Sequence, residues 1–296
     1  MNTKQIKGEI IKVSYREDIK SGYYKTVIEM RQLNEKEAFE LLVARAERAR
    51  FSGWNFEYIT RTVREVDGAL PWSYNTEVLK LMGQSKSMLD MGTGGGELLS
   101  LMAPLPPKAC ATEGYKPNLA LAKKRPAPLG VKVYGITGDA KLPFRDEEFD
   151  LVINKHEGYI ASEIFRILKP GGMFITQQVG AYYVTKINEL LGARVKHSNR
   201  YLKNAVNALE GAGLGILAKK EAYPTNRFFD IGAVVYYLNA IPWQLPGFSV
   251  KRYRNKLFEL HKLITKKGYI DFRAHNYFIV ARKGSTSDFT PQKNVP

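Results

Sequence analysis

A glycine-rich turn with two carboxylates, residues 87–102 (SMLDMGTGGGELLSLM), is the stretch whose residue types point most directly to ligand chemistry. Its four glycines, at 92 and at 94–96, permit positive φ angles and let the backbone approach a flat ligand closely. An apolar run precedes the turn and a helix-like pattern follows it, so backbone amides at a helix start would face the ligand. This context favours a nucleotide-binding loop over a turn that only packs a helix on a strand.

The carboxylates of this turn discriminate between nucleotides. The dinucleotide pattern G-x-G-x-x-G fails, because Glu97 stands where the last glycine is required. A carboxylate there would face a pyrophosphate, and two like charges about 4 Å apart cost on the order of 4 kcal/mol at an effective dielectric near 20. A cationic ligand would instead be attracted by the carboxylates, with an interaction energy of similar size. S-adenosylmethionine carries a sulfonium and an ammonium, so Asp90 at the strand end and Glu97 at the helix start suit it better than NAD.

The elements that position this turn are read from the alternation of short apolar runs and helical patterns after residue 86. Helices are predicted to start near Glu97, Pro117 and Ser162. The alternation is typical of a doubly wound parallel sheet, which binds ligands outside the carboxyl ends of its strands. We therefore expect an α/β fold with a Rossmann-like, seven-stranded, mostly parallel sheet. The predicted strands are 87–91, 109–113, 131–137, 149–155, 172–179, 215–222 and 276–283.

Five motifs in this segment resemble those of the class I S-adenosylmethionine-dependent methyltransferases, of the methyltransferase type 11 kind. The first, [DE]-x-G-x-G-x-G, is matched by DMGTGGG at 90–96, and Glu113 matches the acid that ends the second strand. The G-D-A after the third strand is matched at 138–140. LPFRDEEFDLVINK and EIFRILKPGGMFI resemble the two motifs that follow. Together these motifs cover residues 87–179.

The resemblance implies S-adenosylmethionine as the cofactor and assigns roles to individual residues. It implies that the first motif contacts the methionine half, that Glu113 holds the ribose hydroxyls and that Asp139 accepts from the adenine amino group. Tyr115 or Lys116 would pack against the adenine. The expected cofactor-binding residues are Asp90, Gly92, Thr93, Gly94, Gly96, Glu113, Gly114, Tyr115, Asp139, Ala140 and Asn154.

The methyl acceptor is expected beyond the fourth strand, which ends in VINKHEGY at 152–159. Asn154, His156, Glu157 and Tyr159 are candidates for orienting the acceptor or taking its proton. His156 and Glu157 are the candidate catalytic residues, because the ordinary pKa of an imidazole suits proton transfer near neutral pH. Turn formation and capping are the alternative roles for such polar residues after a strand.

Composition limits the class of protein. The chain of 296 residues has 44% hydrophobic and 25% charged residues, as in ordinary globular proteins. The single cysteine, Cys110, excludes disulfide frameworks and Cys-rich zinc sites, and the histidines lack metal spacing, so no metal is expected. No apolar stretch approaches the roughly 18 residues of a membrane span, and the first residues lack a signal-peptide core. A cytoplasmic protein is the expectation.

The domain organisation is predicted from where patterns change. Residues 1–86 would form an N-terminal arm and helical cap, with a helical pattern from Asn34 to about Leu81. Residues 87–283 would form the methyltransferase domain, with an aromatic insert at about 223–268, and residues 284–296 a flexible tail. Whether the arm closes over the site, and the oligomeric state, are left open by the sequence.

The sequence leaves more than one alternative for the methyl acceptor and the function. The net charge is +16, and residues 184–296 contain 19 basic against 7 acidic residues, which would suit RNA. Motifs of several specialised nucleic-acid methyltransferases, such as N-P-P-Y, are absent. A small-molecule acceptor is therefore preferred slightly, since the insert could enclose a pocket. An RNA methyltransferase and a noncatalytic S-adenosylmethionine-binding regulator are the alternatives.

Overall fold

The computed structural model describes residues 33–52, 54–195 and 199–284. The predicted arm within residues 1–32 and nearly all of the predicted tail lie outside these residues. Ten helices are described: α1 Glu35–Arg48, α2 Glu57–Thr60, α3 Tyr74–Met82, α4 Glu97–Leu101, α5 Lys116–Lys124, α6 Ala161–Ile167, α7 Lys186–Leu190, α8 Leu202–Gly211, α9 Ile231–Ala240 and α10 Val250–Lys267. Ten strands are described: β1 Glu65–Val66, β2 Ser87–Met91, β3 Lys108–Glu113, β4 Lys132–Gly135, β5 Phe149–Lys155, β6 Leu168–Val179, β7 Leu214–Ala222, β8 Thr225–Phe228, β9 Ile270–Arg273 and β10 Asn276–Lys283.

Seven of these strands form one sheet in the order β4-β3-β2-β5-β6-β10-β7. Strands β2 to β6 pair in parallel, and β10 runs antiparallel to both of its neighbours. The chain leaves β2 toward one edge and then returns to place β5 on its other side. This reversal creates the crevice in which such sheets bind ligands, and the predicted Rossmann-like fold is confirmed.

Strand boundaries agree closely with the predictions at β2 and β5 and differ at two other strands. Strand β4 is shorter than the predicted 131–137, and β6 begins at Leu168 instead of residue 172. The earlier start of β6 arises because Leu168 pairs with Phe149 ahead of an irregular step in the ladder. The apolar pattern of a sequence does not show where such a bulge occurs.

The helical region predicted from Asn34 to about Leu81 contains three helices, α1, α2 and α3. Helix α1 begins with the expected capping box, in which Glu37 N donates to Asn34 Oδ1 at 3.0 Å and Asn34 N donates to Glu37 Oε2 at 2.9 Å. It ends at Arg48, because Ala49 adopts an extended backbone with φ −68° and ψ 128°. Trp54 and Val63 then adopt left-handed φ angles of 54°.

A second hydrophobic core lies away from the main sheet, and in it the N-terminal segment and the insert pack together. Helix α1 contributes Phe39 and Leu42, and helices α9 and α10 contribute residues such as Val234 and Leu257. A small antiparallel sheet, in the order β1-β8-β9, accompanies these helices. We call α1, α2, β1, β8, α9, α10 and β9 the cap. Helix α3 packs instead on the main sheet, where Val78 joins the core.

No helix among the described residues combines the length and the apolar character that crossing a membrane requires.

Candidate functional site

The glycine-rich turn lies at the carboxyl end of β2, beside the reversal of strand order. Gly92, Gly94 and Gly96 have φ angles of 66°, 64° and 79°, and helix α4 begins at the next residue. Thr93 N donates to Thr112 O at 2.9 Å, which ties the turn to β3. The alternating left-handed glycines keep the loop free of side chains, so a ligand can approach the backbone.

Glu113 ends the neighbouring strand β3 and carries an unused hydrogen-bond acceptor. Its side chain is only 3% exposed, and its Oε1 accepts a hydrogen bond of 2.6 Å from the backbone N–H of Tyr115. Its Oε2 is buried and has no partner among the described residues. Burial raises the pKa of Glu113, and the backbone N–H groups around it oppose this rise. A buried carboxylate oxygen without a donor is costly unless a ligand supplies the donor.

Four carboxylates surround the turn, and we call Asp90, Glu113, Asp139 and Glu157 the acidic collar. Burial raises the pKa of Asp90 to about 7, with the Thr93 hydroxyl opposing the rise and the Glu113 charge adding to it. Burial also raises the pKa of Glu157 and of Asp139, and the Asp139 charge raises that of Glu157 further. This mutual repulsion would be relieved by a cation placed among the four groups.

Glu157 and Asp139 reach the turn from other strands. A Cβ atom added to Gly92 would lie 2.6 Å from Glu157 Oε2, and one added to Gly158 would lie 3.2 Å from Asp139 Oδ2. Glu157 therefore lies over the glycine turn, and Asp139 lies beside the loop that carries Glu157, although these segments are far apart in the chain. Gly114 and Ala140 flank the collar at exposed positions, and Tyr115 presents a ring that is 53% exposed.

Glu97, at the start of α4, is paired with an arginine. Its carboxylate forms an ion pair with Arg125, and the same guanidinium donates to Gly95 O at 2.7 Å. The Glu97 charge still acts on the acidic collar, because it adds to the rise in the pKa of Glu113. The four carboxylates of the collar, all of them predicted site residues, supply the rest of the negative charge.

Asn154 is buried at the end of β5 and held in one orientation. Its Oδ1 accepts hydrogen bonds from Thr176 Oγ1 at 3.0 Å and from Gln178 Nε2 at 2.6 Å. Its Nδ2 is buried and has no partner among the described residues. Asn154 thus offers an amide donor at the same edge of the sheet as the collar.

Tyr74 is a site residue that the motif analysis missed. It opens helix α3, and its ring is 4% exposed with a hydroxyl that has no hydrogen-bond partner among the described residues. Burial raises its pKa well above 10, and the nearby Asp90 charge acts in the same direction. The phenol therefore stays neutral and can donate. Ser73 is the N-cap of this helix, a signal that predicts where α3 begins and not what it packs against.

His156 lies on the loop after β5, and its side chain is exposed. The neighbouring Lys155 charge disfavours the imidazolium and so lowers the pKa of His156 below the ordinary 6.5. The residue adopts a φ of 69°, and its backbone N–H donates to Gln177 O at 2.8 Å. Tyr159 packs edge-on against Phe174, and burial raises its pKa, so it does not act as a base. Glu157 is the carboxylate of this loop that lies over the turn.

No cluster of three or more His, Cys, Asp or Glu residues suited to a metal ion occurs in the described part of the chain.

Comparison with known proteins agrees with this geometry. Residues 89–176 match the family model described as a methyltransferase domain. A sequence comparison with curated proteins finds no match. A structure from Bacillus halodurans, described as a candidate methyltransferase, has 20% identity and a TM-score of 0.52, with 71% of this chain and 97% of that chain covered. A protein from Deinococcus radiodurans, described as functionally unknown, has 16% identity and a TM-score of 0.51, covering 74% of this chain and 90% of that one.

The matched segment begins inside β2 and ends inside β6, so it contains the glycine turn, the acidic collar and Asn154. Residues 89–176 thus match the methyltransferase domain model, and the chain shares its fold with these two solved structures.

Proposed function

We propose that this protein is an S-adenosylmethionine-dependent methyltransferase that acts on a small-molecule acceptor. The observation that carries the proposal is the Oε2 of Glu113 at the end of β3, which is buried, has no partner among the described residues and belongs to the acidic collar. A ribose diol would supply the missing donor. The surrounding negative charge favours a ligand whose adenosine is joined to a cationic group, whereas the adenosine of NAD is joined to an anionic pyrophosphate.

Each part of S-adenosylmethionine, the methyl donor, has residues in this site that would bind it. Glu113 would accept from the ribose hydroxyls, and the exposed ring of Tyr115 would pack against the adenine, whose amino group would donate to Asp139. The left-handed turn at Gly92 and Gly94 would let the methionine half approach the backbone. Asp90 and Glu157 would face the ammonium and the sulfonium.

The donor, when bound, supplies a methyl group already activated by the sulfonium, so the chain has mainly to position the acceptor and exclude water. Asn154 presents its free amide donor from a side chain that two hydrogen bonds immobilise. His156, as a neutral imidazole, can accept a hydrogen bond. Glu157 has a raised pKa, so it is the better placed group to take an acceptor proton near neutral pH.

The cap supports a small-molecule acceptor. Its core packs N-terminal and insert helices together, which makes it a body able to enclose a compact acceptor. The basic residues of the last third favour RNA only through their charge. Net charge affects how fast a partner is encountered more than which partner is bound.

A labelled-methyl transfer assay with cell extract divided into metabolite, RNA and protein fractions tests this function. We expect label in the metabolite fraction and release of S-adenosylhomocysteine. Label in RNA, with binding that falls steeply as salt rises, would establish the RNA alternative. Uptake of the donor in calorimetry without product from any fraction would indicate a noncatalytic binder. Tight binding of NAD with no uptake of S-adenosylmethionine would refute the proposal.

The stability of the empty protein is expected to fall as pH rises from about 4 to about 7. Asp90 has a folded pKa of about 7 against an ordinary 3.8, so in this window the folded protein holds a proton that the unfolded chain has lost. This group therefore lowers the free energy of unfolding by up to about 1.4 kcal/mol per pH unit. Bound S-adenosylmethionine, as a cation, should stabilise the protein more at pH 8 than at pH 6.

Thermal melting at several pH values, with and without the donor, checks this expectation. The Asp90→Asn variant is the control, since it cannot lose a proton and its empty form should show a shallower pH dependence. Equal slopes for the two proteins would contradict the assignment.

Replacing Tyr74 by phenylalanine is expected to weaken donor binding about 3- to 10-fold, the worth of one neutral hydrogen bond. The hydroxyl is buried near Asp90 and donates to no acceptor among the described residues, so it has a donor to offer a ligand. Calorimetry with S-adenosylmethionine and S-adenosylhomocysteine measures the change. Tyr134→Phe, on β4, is the matched control. Unchanged affinities in Tyr74→Phe would show that its hydroxyl does not contact the donor.

A further inference from the structure

A cleft of about 440 Å³ lies in the cap, between the end of α1 and the last turn of α9. Six residues line it: Glu47, Ala49, Phe51, Tyr236, Asn239 and Ala240. The volume lies within the range of sites that bind small organic molecules. The motifs of the methyltransferase domain, which end at residue 176, assign no function to this cleft.

An aromatic surface continues from the cleft. The ring of Phe51, which lines it, lies 5.7 Å from the indole of Trp54, and Trp54 lies 5.5 Å from the indole of Trp243 in an edge-to-face arrangement. The two tryptophans are 38% and 53% exposed. Large exposed indoles side by side are unusual on a surface that binds nothing.

The conformation of Trp54 supports a binding role. Its φ is 54°, a left-handed backbone that a residue of this size rarely adopts. Such strain persists where the surrounding structure imposes it, and it is concentrated at functional sites.

The lining carries one charge. Glu47 is exposed at the cleft and has no ion-pair partner among the described residues, and Asn239 adds an amide. Arg48 and Arg50, its neighbours in the chain, do not line the cleft. An aromatic wall beside a carboxylate attracts a cation both through the ring faces and through the charge.

The aromatic surface also reaches the candidate donor site. Trp54 lies 6.4 Å from the ring of Tyr115, whose backbone N–H is held by Glu113. A molecule bound on this surface therefore lies next to the end of β3, at the edge of the acidic collar.

We propose that this cleft binds a small molecule whose planar aromatic group bears an ammonium, with the ring against Phe51 and Trp54 and the ammonium at Glu47.

Calorimetry with three probes of one shape tests the assignment on the full chain: tryptamine, which carries an ammonium, tryptophol, its neutral analogue, and indole-3-propionate, an anion. We expect tryptamine to bind more tightly than tryptophol, and the anion least. Glu47→Gln should weaken tryptamine about fivefold, the value of one exposed charge pair, and leave tryptophol unchanged. Trp54→Ala should weaken both by about tenfold. Glu210→Gln, at an exposed site on α8, is the matched control.

Failure of this inference is distinguishable from failure of the proposed function, because S-adenosylhomocysteine binding is measured on the same samples. If that nucleoside binds but tryptamine does not, or if Glu47→Gln has no effect, the cleft assignment is overturned while the function stands. If tryptamine binds in a Glu47-dependent manner but the nucleoside does not, the ligand chemistry is supported and the proposed function fails. Binding of a single-stranded oligoribonucleotide that Trp54→Ala abolishes and Glu47→Gln strengthens would also overturn the assignment.

Discussion

Replacing Glu113 by alanine is expected to lower the affinity for S-adenosylmethionine by about 100-fold or more. In the proposed complex the carboxylate accepts from two ribose hydroxyls, and hydrogen bonds to a charged group contribute about 1.5–3 kcal/mol each. The loss falls on the nucleoside half, so S-adenosylhomocysteine should lose affinity by a similar factor. Calorimetry with both ligands measures it.

Glu113 also anchors the backbone N–H of Tyr115, so the variant needs a structural control. Glu113→Gln keeps one oxygen for that bond and removes the charge, and it should lie between the wild type and the alanine variant. The melting temperatures of the empty proteins report any structural damage. An alanine variant that is folded and binds both ligands normally would remove Glu113 from the donor site.

Replacing Arg64 by alanine is expected to lower the free energy of unfolding by about 3–5 kcal/mol, because it leaves a buried carboxylate unpaired. Arg64 donates to both oxygens of Asp230, from Nε at 2.6 Å and from Nη2 at 2.5 Å, and the two side chains are 9% and 14% exposed. Asp230 also accepts from Ala233 N at 2.9 Å and so caps α9. The pair thus joins the segment before β1 to the insert helix.

Urea denaturation measures this change, and Arg254→Ala is the matched control. Arg254 pairs with Glu40, and both side chains are close to half exposed, so its loss should cost about 1 kcal/mol or less. Similar losses in the two variants would mean that burial does not determine the strength of the Arg64–Asp230 pair. Because the cap contains the aromatic cleft, we also expect Arg64→Ala to weaken tryptamine binding.

The parts of the site that could be predicted are those encoded over a few neighbouring residues. The turn at Gly92, Gly94 and Gly96 needs left-handed backbone, and glycine spacing records that need directly. The acid at Glu113 follows from a strand that ends there, because all parallel strands of such a sheet end at one edge.

The features that the local sequence does not reveal arise where a contact joins separate segments. Glu97 forms an ion pair with Arg125 at the end of α5. Tyr74 carried no motif, and only the packing of α3 on the sheet brings its hydroxyl to Asp90.

By itself, the sequence determined the order of strands and helices, the glycine turn and the strand-end acids of this protein, because backbone conformation and apolar periodicity depend on residues close together in the chain. Only the tertiary structure decided which carboxylates face the site, which are paired, and that the N-terminal helix and the insert share one core with an aromatic cleft. Burial and charge pairing depend on which distant segments meet. That choice is made by the packing of the whole chain and leaves no local pattern to read.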